Sequence, residues 1–178
     1  MDQADVERLF NAAAEIEPPT GLVNNAGLTA HTGDLADTPA DVIRNVIDVN
    51  LVGVVMCARE AVRAMSTRRG GHGGAIVNIS SAAATPGSPH ESVHYAAAKA
   101  GVEELTVGLA KEVADDGIRV NAVAPGIVNT DIHAPPVLRT GRKARCHAFR
   151  CVGWPSPRRS RRRSSGCSAP RPLTPRAR

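Results

Sequence analysis

The sequence predicts an α/β fold built on a parallel sheet of about three strands. Short apolar runs at 21–27, 75–81 and 118–126 each end in Ser or Gly. Between them lie longer stretches whose apolar residues recur at helical spacing. Crossovers of a few dozen residues are what parallel neighbours need, and right-handed connections then place helices on both faces of the sheet.

The first element is a helix from Ala4 to Ile16, on which Val6, Leu9, Phe10, Ala13 and Ile16 share the apolar spacing and which Pro18-Pro19 stops. Gly21-Leu22-Val23 is a short strand running into Asn24, Asn25, Ala26 and Gly27. Thr38-Pro39-Ala40-Asp41 then opens one long helix, with Pro39 suited to its first turn, continuing to Met65 or Arg68. Asn50 sits in the middle of it. Because Asn is a mediocre helix former, it is either a solvated position or one with a function and buried partners. Arg68-Arg69 complement the dipole at the helix end or, as the weaker alternative, bind phosphate. The second strand, Ala75 to Ile79, ends in Ser80-Ser81. A loop containing Pro86, Gly87 and Pro89 leads to a small-residue helix from about Val93 to Val113. The third strand, Ile118 to Val123, runs into Ala124-Pro125-Gly126. The polar strand ends Asn25, Ser80, Ser81 and Pro125-Gly126 then share one sheet edge, which faces the start of the Val93 helix.

That helix carries Tyr95-Ala96-Ala97-Ala98-Lys99 and, in it, the one tyrosine of the chain. Residues i and i+4 lie on one helix face, so the phenol and the ammonium point the same way. A nearby cation favours the phenolate, so Lys99 is expected to lower the Tyr95 pKa from about 10 and make it a general acid/base.

Composition divides the chain. Nine of its 22 Lys/Arg and all 17 Asp/Glu precede residue 139, and the remaining 13 basic residues follow with no acid among them. The expected organisation is a folded unit over 1–134 and a disordered Arg/Pro/Ser-rich tail over 135–178, too poor in apolar residues to offset the entropy of ordering. The tail has too little aromatic content for a base-stacking platform, so salt-dependent polyanion affinity without sequence preference is the most it implies, and no specific nucleic-acid partner is expected. The four cysteines show neither a disulfide framework nor metal-ligand spacing, and no metal is expected. No apolar run approaches the ~20 residues of a membrane span, and the acidic amphipathic start is unlike a signal peptide, so a cytoplasmic protein without a membrane role is the expectation.

Taken together, NNAG, the interior Asn of DVNLVG, IVNISS, YAAAK and RVNAVAPGIVNTD occur in the order and near the spacings of the short-chain dehydrogenase/reductase family, which residues 4 to 133 resemble. The resemblance implies a partial Rossmann-like, doubly wound sheet and an oxidoreductase that interconverts a small alcohol and a carbonyl with NAD or NADP. It implies that Tyr95 exchanges the proton with the carbonyl oxygen, that Ser81 orients that oxygen, that Lys99 lowers the Tyr95 pKa and holds the nicotinamide ribose, and that Asn50 holds a water in a proton relay. Ser80 is the alternative to Ser81. Asn25 and Gly27 would border the adenosine half of the cofactor, and Gly126, Val128 and Thr130 the nicotinamide, with the hydride belonging to the cofactor. Family members are usually homo-oligomers.

The resemblance also sets expectations where the pattern departs. Ser81 lies 14 residues before Tyr95, about one more than the commonest family spacing, so the intervening loop is expected to carry an insertion. A GxxxGxG turn following a strand, the pyrophosphate cradle of the family, does not occur. The expectation is a chain truncated at its start, with a tail from a shifted reading frame and weak cofactor binding. The alternative is an inactive fragment, or a non-catalytic protein that interacts through its basic tail.

Overall fold

The three apolar runs form parallel strands in sequence order. β1 spans Gly21–Asn24, β2 Gly74–Ile79 and β3 Ile118–Ala124. Leu22 lies opposite Ile76 and Ile76 opposite Val120, so the register puts apolar residues side by side. The computed structural model describes residues 2–126 and the backbone of 150–153. Those last four residues, Arg150–Gly153, form β4, antiparallel to β3, so the sheet order is β1-β2-β3-β4. The sequence reading placed no strand there; the rest of the tail, and Val128 and Thr130, lie outside the described residues.

Helix α1, Gln3–Ile16, begins at Asp2, whose side chain accepts from the Ala4 amide, and stops before the two prolines. It packs on α3, which in turn covers β1 and β2, while α4 covers β2 and β3. Both α3 and α4 therefore lie on one face of these strands, with Ala61, Met65, Ala110 and Val113 in one cluster with Ile76 and Val120, where helices on both faces were expected: crossovers of one hand that step the same way across a sheet return to the same face. Burial alternates accordingly: Ile76, Asn78 and Ser80 in β2, and Ile118, Val120, Ala122 and Ala124 in β3, are buried. Among the described residues the opposite face is half-exposed, and Val23 of β1 is 64 % exposed.

The region read as one long helix is two. Ala40–Ile47 forms α2 and Gly53–Met65 forms α3, separated by a π-type turn over Asp48–Val52 with Asn50 inside it. Such turns insert a residue into the helical ladder and recur at functional sites. The last long helix, α4, spans Val93–Glu112 and buries mostly small residues, Ala96, Ala98, Val102, Thr106 and Ala110. Small side chains permit close approach: a Cβ on Gly101 would lie 3.1 Å from the Leu51 methyls of the π-type turn.

The core beneath the sheet is Ala61, Met65, Ile76, Ala110, Val113, Ile118 and Val120. It is closed at the amino ends of the strands by backbone packed too tightly for side chains. Gly73, at φ +78, sits where a Cβ would meet the Gly117 carbonyl at 2.7 Å. There Arg68 pairs with Asp116, which also accepts from the Ser66 hydroxyl at 2.7 Å. The Arg68 side chain is thus committed to a carboxylate across the turn.

Candidate active site

At the carboxyl ends of the strands the polar residues form two tiers. The lower tier is a buried chain of side chains: Asn24 Nδ2 donates to Asn78 Oδ1 at 2.9 Å, Asn78 Nδ2 to Thr106 Oγ1 at 2.9 Å, and Thr106 Oγ1 to the Val102 carbonyl at 2.7 Å. It fastens β1 to β2 and β2 to α4, with each amide partnered as a buried polar group requires. These residues were not singled out in the sequence, where a lone Thr on α4 carries no signal. Strand periodicity alone brings Asn24 and Asn78 opposite each other.

The upper tier holds the residues the sequence singles out. Ser80 and Ser81 are consecutive and point apart. Ser81 lies beside the Tyr95 phenol, close enough to favour its ionised form, and accepts from the Ala83 amide at 3.2 Å, which caps the short turn after β2. Ser80 is buried and turns toward α4, its hydroxyl 3.1 Å from the Lys99 carbonyl and 3.0 Å from Glu103 Oε1. Of the two hydroxyls, Ser81 is the one beside the tyrosine. Lys99 is one turn along α4 from Tyr95, its ammonium 5.7 Å from the ring centroid and donating to the Ile79 carbonyl at 2.9 Å.

Asn50 is fully buried, so it is not a solvated position. Its Nδ2 donates to the Leu28 carbonyl at 2.8 Å and the Val46 carbonyl at 2.9 Å, and its Oδ1 accepts from the Leu28 amide at 3.2 Å. The loop after β1 is thereby bound to the π-type turn as one strand is to another. Gly27 is the pivot, because a Cβ there would come within 2.8 Å of Asn50 Oδ1 and 3.4 Å of Lys99 Nζ. Asn50, Gly27, Lys99, Tyr95 and Ser81 therefore form one continuous line of contacts. The Pro125 carbonyl, just before Gly126, accepts from the Ala82 amide next to Ser81 at 2.8 Å, which brings the end of β3 beside this line. Asn25 is exposed at the edge.

The charge states differ from the expectation that Lys99 lowers the Tyr95 pKa. Burial pushes the phenol above its ordinary value, and Ser81 beside it opposes that only in part. Lys99 is itself nearly buried, which lowers its pKa to about 8. An ammonium that burial half disarms, placed against the ring rather than at the hydroxyl, does not make Tyr95 a phenolate. At neutral pH the pair is a protonated phenol beside a mostly protonated lysine.

The mouth above this line is made by two loops. The Gly33 amide donates to the Glu91 carbonyl at 2.9 Å, and His90 Nδ1 lies 2.6 Å from Asp34 Oδ1. Ser88 and His90 both have positive φ, 45° and 60°, so this loop is held in a conformation that side-chain-bearing residues seldom adopt. Next to Tyr95, the buried His94 has an Nε2 without a hydrogen-bond partner among the described residues, and burial together with His31 keeps its pKa below the usual histidine value.

The short chain dehydrogenase family profile matches residues 1–138. The chain is 46 % identical over 134 residues to an uncharacterized oxidoreductase, YgfF, of Escherichia coli K12, covering 75 % of this chain and 54 % of that protein. It is 43 % identical over 122 residues to a 3-oxoacyl-[acyl-carrier-protein] reductase of Synechocystis, covering 66 % of this chain and 47 % of that one. The solved structure of ElxO with NADP bound superposes with a TM-score of 0.65 at 38 % identity, over 71 % of this chain and 50 % of that chain. The chain thus spans about half the length of the relatives it matches.

Proposed function

The chain belongs to the short chain dehydrogenase family, and on that premise we propose that its upper tier is the acid/base centre of a nicotinamide-dependent interconversion of a small alcohol and its carbonyl. The observation that carries the proposal is that Lys99, bonded to the Ile79 carbonyl at 2.9 Å, lies 5.7 Å from the centre of the Tyr95 ring at the carboxyl edge of the sheet, where Ser81 stands beside the phenol. Two hydroxyls standing side by side can both reach a third oxygen. In the reducing direction that oxygen is the substrate carbonyl: Tyr95 gives it a proton and Ser81 donates a second hydrogen bond to the developing negative charge. A phenol held above its ordinary pKa is in the right form to donate.

The residues present fit the nicotinamide and ribose end of NAD or NADP. Lys99 donates one N–H to Ile79, leaving donors for ribose hydroxyls. Gly27 lacks the side chain that would collide with Asn50 and crowd Lys99. When bound, the cofactor supplies or accepts the hydride. Lys99 and Tyr95 would hold its ribose, Asn25 and Gly27 would border the adenosine side, and Gly126, Val128 and Thr130 the nicotinamide. Asn50, fixed between Leu28 and Val46, would hold the start of the path by which the proton leaves Lys99.

The test is NADPH- or NADH-dependent reduction of a panel of small ketones and aldehydes by the full chain and by Tyr95→Phe. The variant is expected to lose about 10²–10⁴-fold in kcat/KM. Because Tyr95 is the one tyrosine in the sequence, phenolate absorbance also reports its ionisation directly, and added NADP+ should move that midpoint. Turnover that survives in Tyr95→Phe overturns the reading, as does the absence of both turnover and any shift.

A further inference from the structure

Resting on the assignment of Tyr95 and Lys99 above, we propose that Ser80 and Glu103 are positioning residues that set the axial register of α4 against β2 and so bring Tyr95 to Ser81. Three consecutive residues of β2 and its end each hold α4. The Ile79 carbonyl takes the Lys99 ammonium at 2.9 Å. The Ser80 hydroxyl reaches the Lys99 carbonyl at 3.1 Å and Glu103 Oε1 at 3.0 Å. Ser81 meets the Tyr95 phenol. Lys99 is gripped at both ends, side chain and carbonyl, by neighbouring residues of one strand.

The apolar residues that α4 buries, Ala96, Ala98, Val102 and Ala110, carry short side chains, and their dispersion contacts lack this directionality and change little when two surfaces slide. Hydrogen bonds do not tolerate such movement: a slip of one residue along α4 is about 1.5 Å, enough to break a bond of 3.0 Å. The lower-tier bond from Asn78 to Thr106 also opposes sliding, but it lies seven residues beyond Lys99. Ser80 acts at the reacting turn itself. Its single proton is shared between a carbonyl and a carboxylate, and the carboxylate makes the stronger, charge-assisted acceptor. Glu103, one turn after Lys99, therefore holds the hydroxyl on the α4 side and keeps Ser80 from rotating toward the Tyr95 mouth.

The test compares Ser80→Ala, Glu103→Ala and Glu103→Gln in the full chain, reading the ionisation of Lys99 by NMR of the lysine ε groups, of which the sequence has three. In the parent the Lys99 signal should titrate near 8. Loosening the register admits water, so Ser80→Ala and Glu103→Ala should raise it by roughly one pH unit, while Glu103→Gln, which keeps an acceptor oxygen, should stay near the parent. Asp116→Asn, at the opposite end of the strands, is the control for general loosening and should leave Lys99 where it is. The proposal is overturned if Glu103→Ala keeps a native far-UV spectrum and an unmoved Lys99, or if Asp116→Asn moves Lys99 as far. Should Ser80→Ala fail to fold, the half-buried position 103 still decides. Lys99 ionisation does not depend on turnover, so a failure here is distinguishable from a failure of the catalytic assignment.

Discussion

The two ends of the parallel strands bury polar groups in opposite ways. At the amino end Asp116 answers both Ser66 and Arg68, and Gly73, Gly74 and Gly117 pack backbone against backbone. Each group there has its partner and there is no room for another. At the carboxyl end, among the described residues, Lys99 makes one bond to a carbonyl, Tyr95 lies beside a serine that has capacity left, and His94 Nε2 has no partner. Incomplete satisfaction of buried polar groups costs stability, and it is tolerated where a ligand completes them. The contrast separates an end that holds the fold from an end that does chemistry.

The sharpest way to break that contrast is to show that one end does the work of the other. Tyr95→Phe should produce the largest effect, the loss of catalysis given above, while its midpoint of thermal unfolding stays close to the parent; a large drop in melting temperature would make Tyr95 structural. Gly74→Ala should do the reverse. Its Cβ would lie 2.5 Å from the Thr20 carbonyl oxygen and 2.8 Å from Met65 Sδ, an overpacking that should cost about 3 kcal/mol in urea unfolding without moving the Tyr95 ionisation. Asn50→Ala lies between the two, because it strips Leu28 of partners for both amide and carbonyl. A loss of about 2 kcal/mol is expected, together with faster proteolysis in the loop after β1.

The smallest effect is in the pH dependence, and the ends should differ in the window where it appears, not in its sign. Lys99 is more easily deprotonated in the folded chain than in the unfolded one, so the unfolded state binds more protons between about 8 and the ordinary lysine value near 10.4. Stability contributed at the carboxyl end should therefore rise with pH across that window, until Tyr95, held above its usual value, opposes the trend beyond about 10. Asp116 is depressed by Arg68 first and Ser66 second. Its contribution is fully present above the unfolded carboxylate pKa of about 3.9 and is lost as pH falls through the lower folded value. Denaturation curves at pH 3, 7 and 9.5 check both, and a stability that falls from pH 7 to 9.5 would contradict the assignment for Lys99.

Much of this architecture was legible in the sequence because it is written in local periodicity. The strands begin within a residue of where the apolar runs begin, and α4 starts at Val93 as its spacing indicates. Tyr95, Lys99, Ser81, Gly27 and Asn50 fall on one line because the strand ends and one helix face converge. What was not legible depends on partners distant in the chain. A π-type turn is invisible to a 3.6-residue count, since the apolar pattern resumes after Val52 with only a shift in phase. Its cause, the two bonds from Asn50 to Leu28, spans 22 residues. The expectation of a Tyr95 depressed by its lysine treated the pair as though it were in water; burial, which no i,i+4 spacing encodes, raises one group and lowers the other. β4 comes from a segment whose composition carries no strand signal, and its pairing with Asn121 to Ala124 is a property of the edge it meets.

The π-type turn also limits how the chain can be altered in length. In a regular helix each residue turns the chain by about 100°, and the wide turn at Asp48–Val52 sets the angular phase between α2 and α3. Removing one residue from it would let the helix run on smoothly, and everything upstream would rotate by that angle about the axis. Val46, now fully buried, would swing out of its place, and Asn50 would leave Leu28. The number of residues in this segment is therefore as constrained as the identity of Asn50.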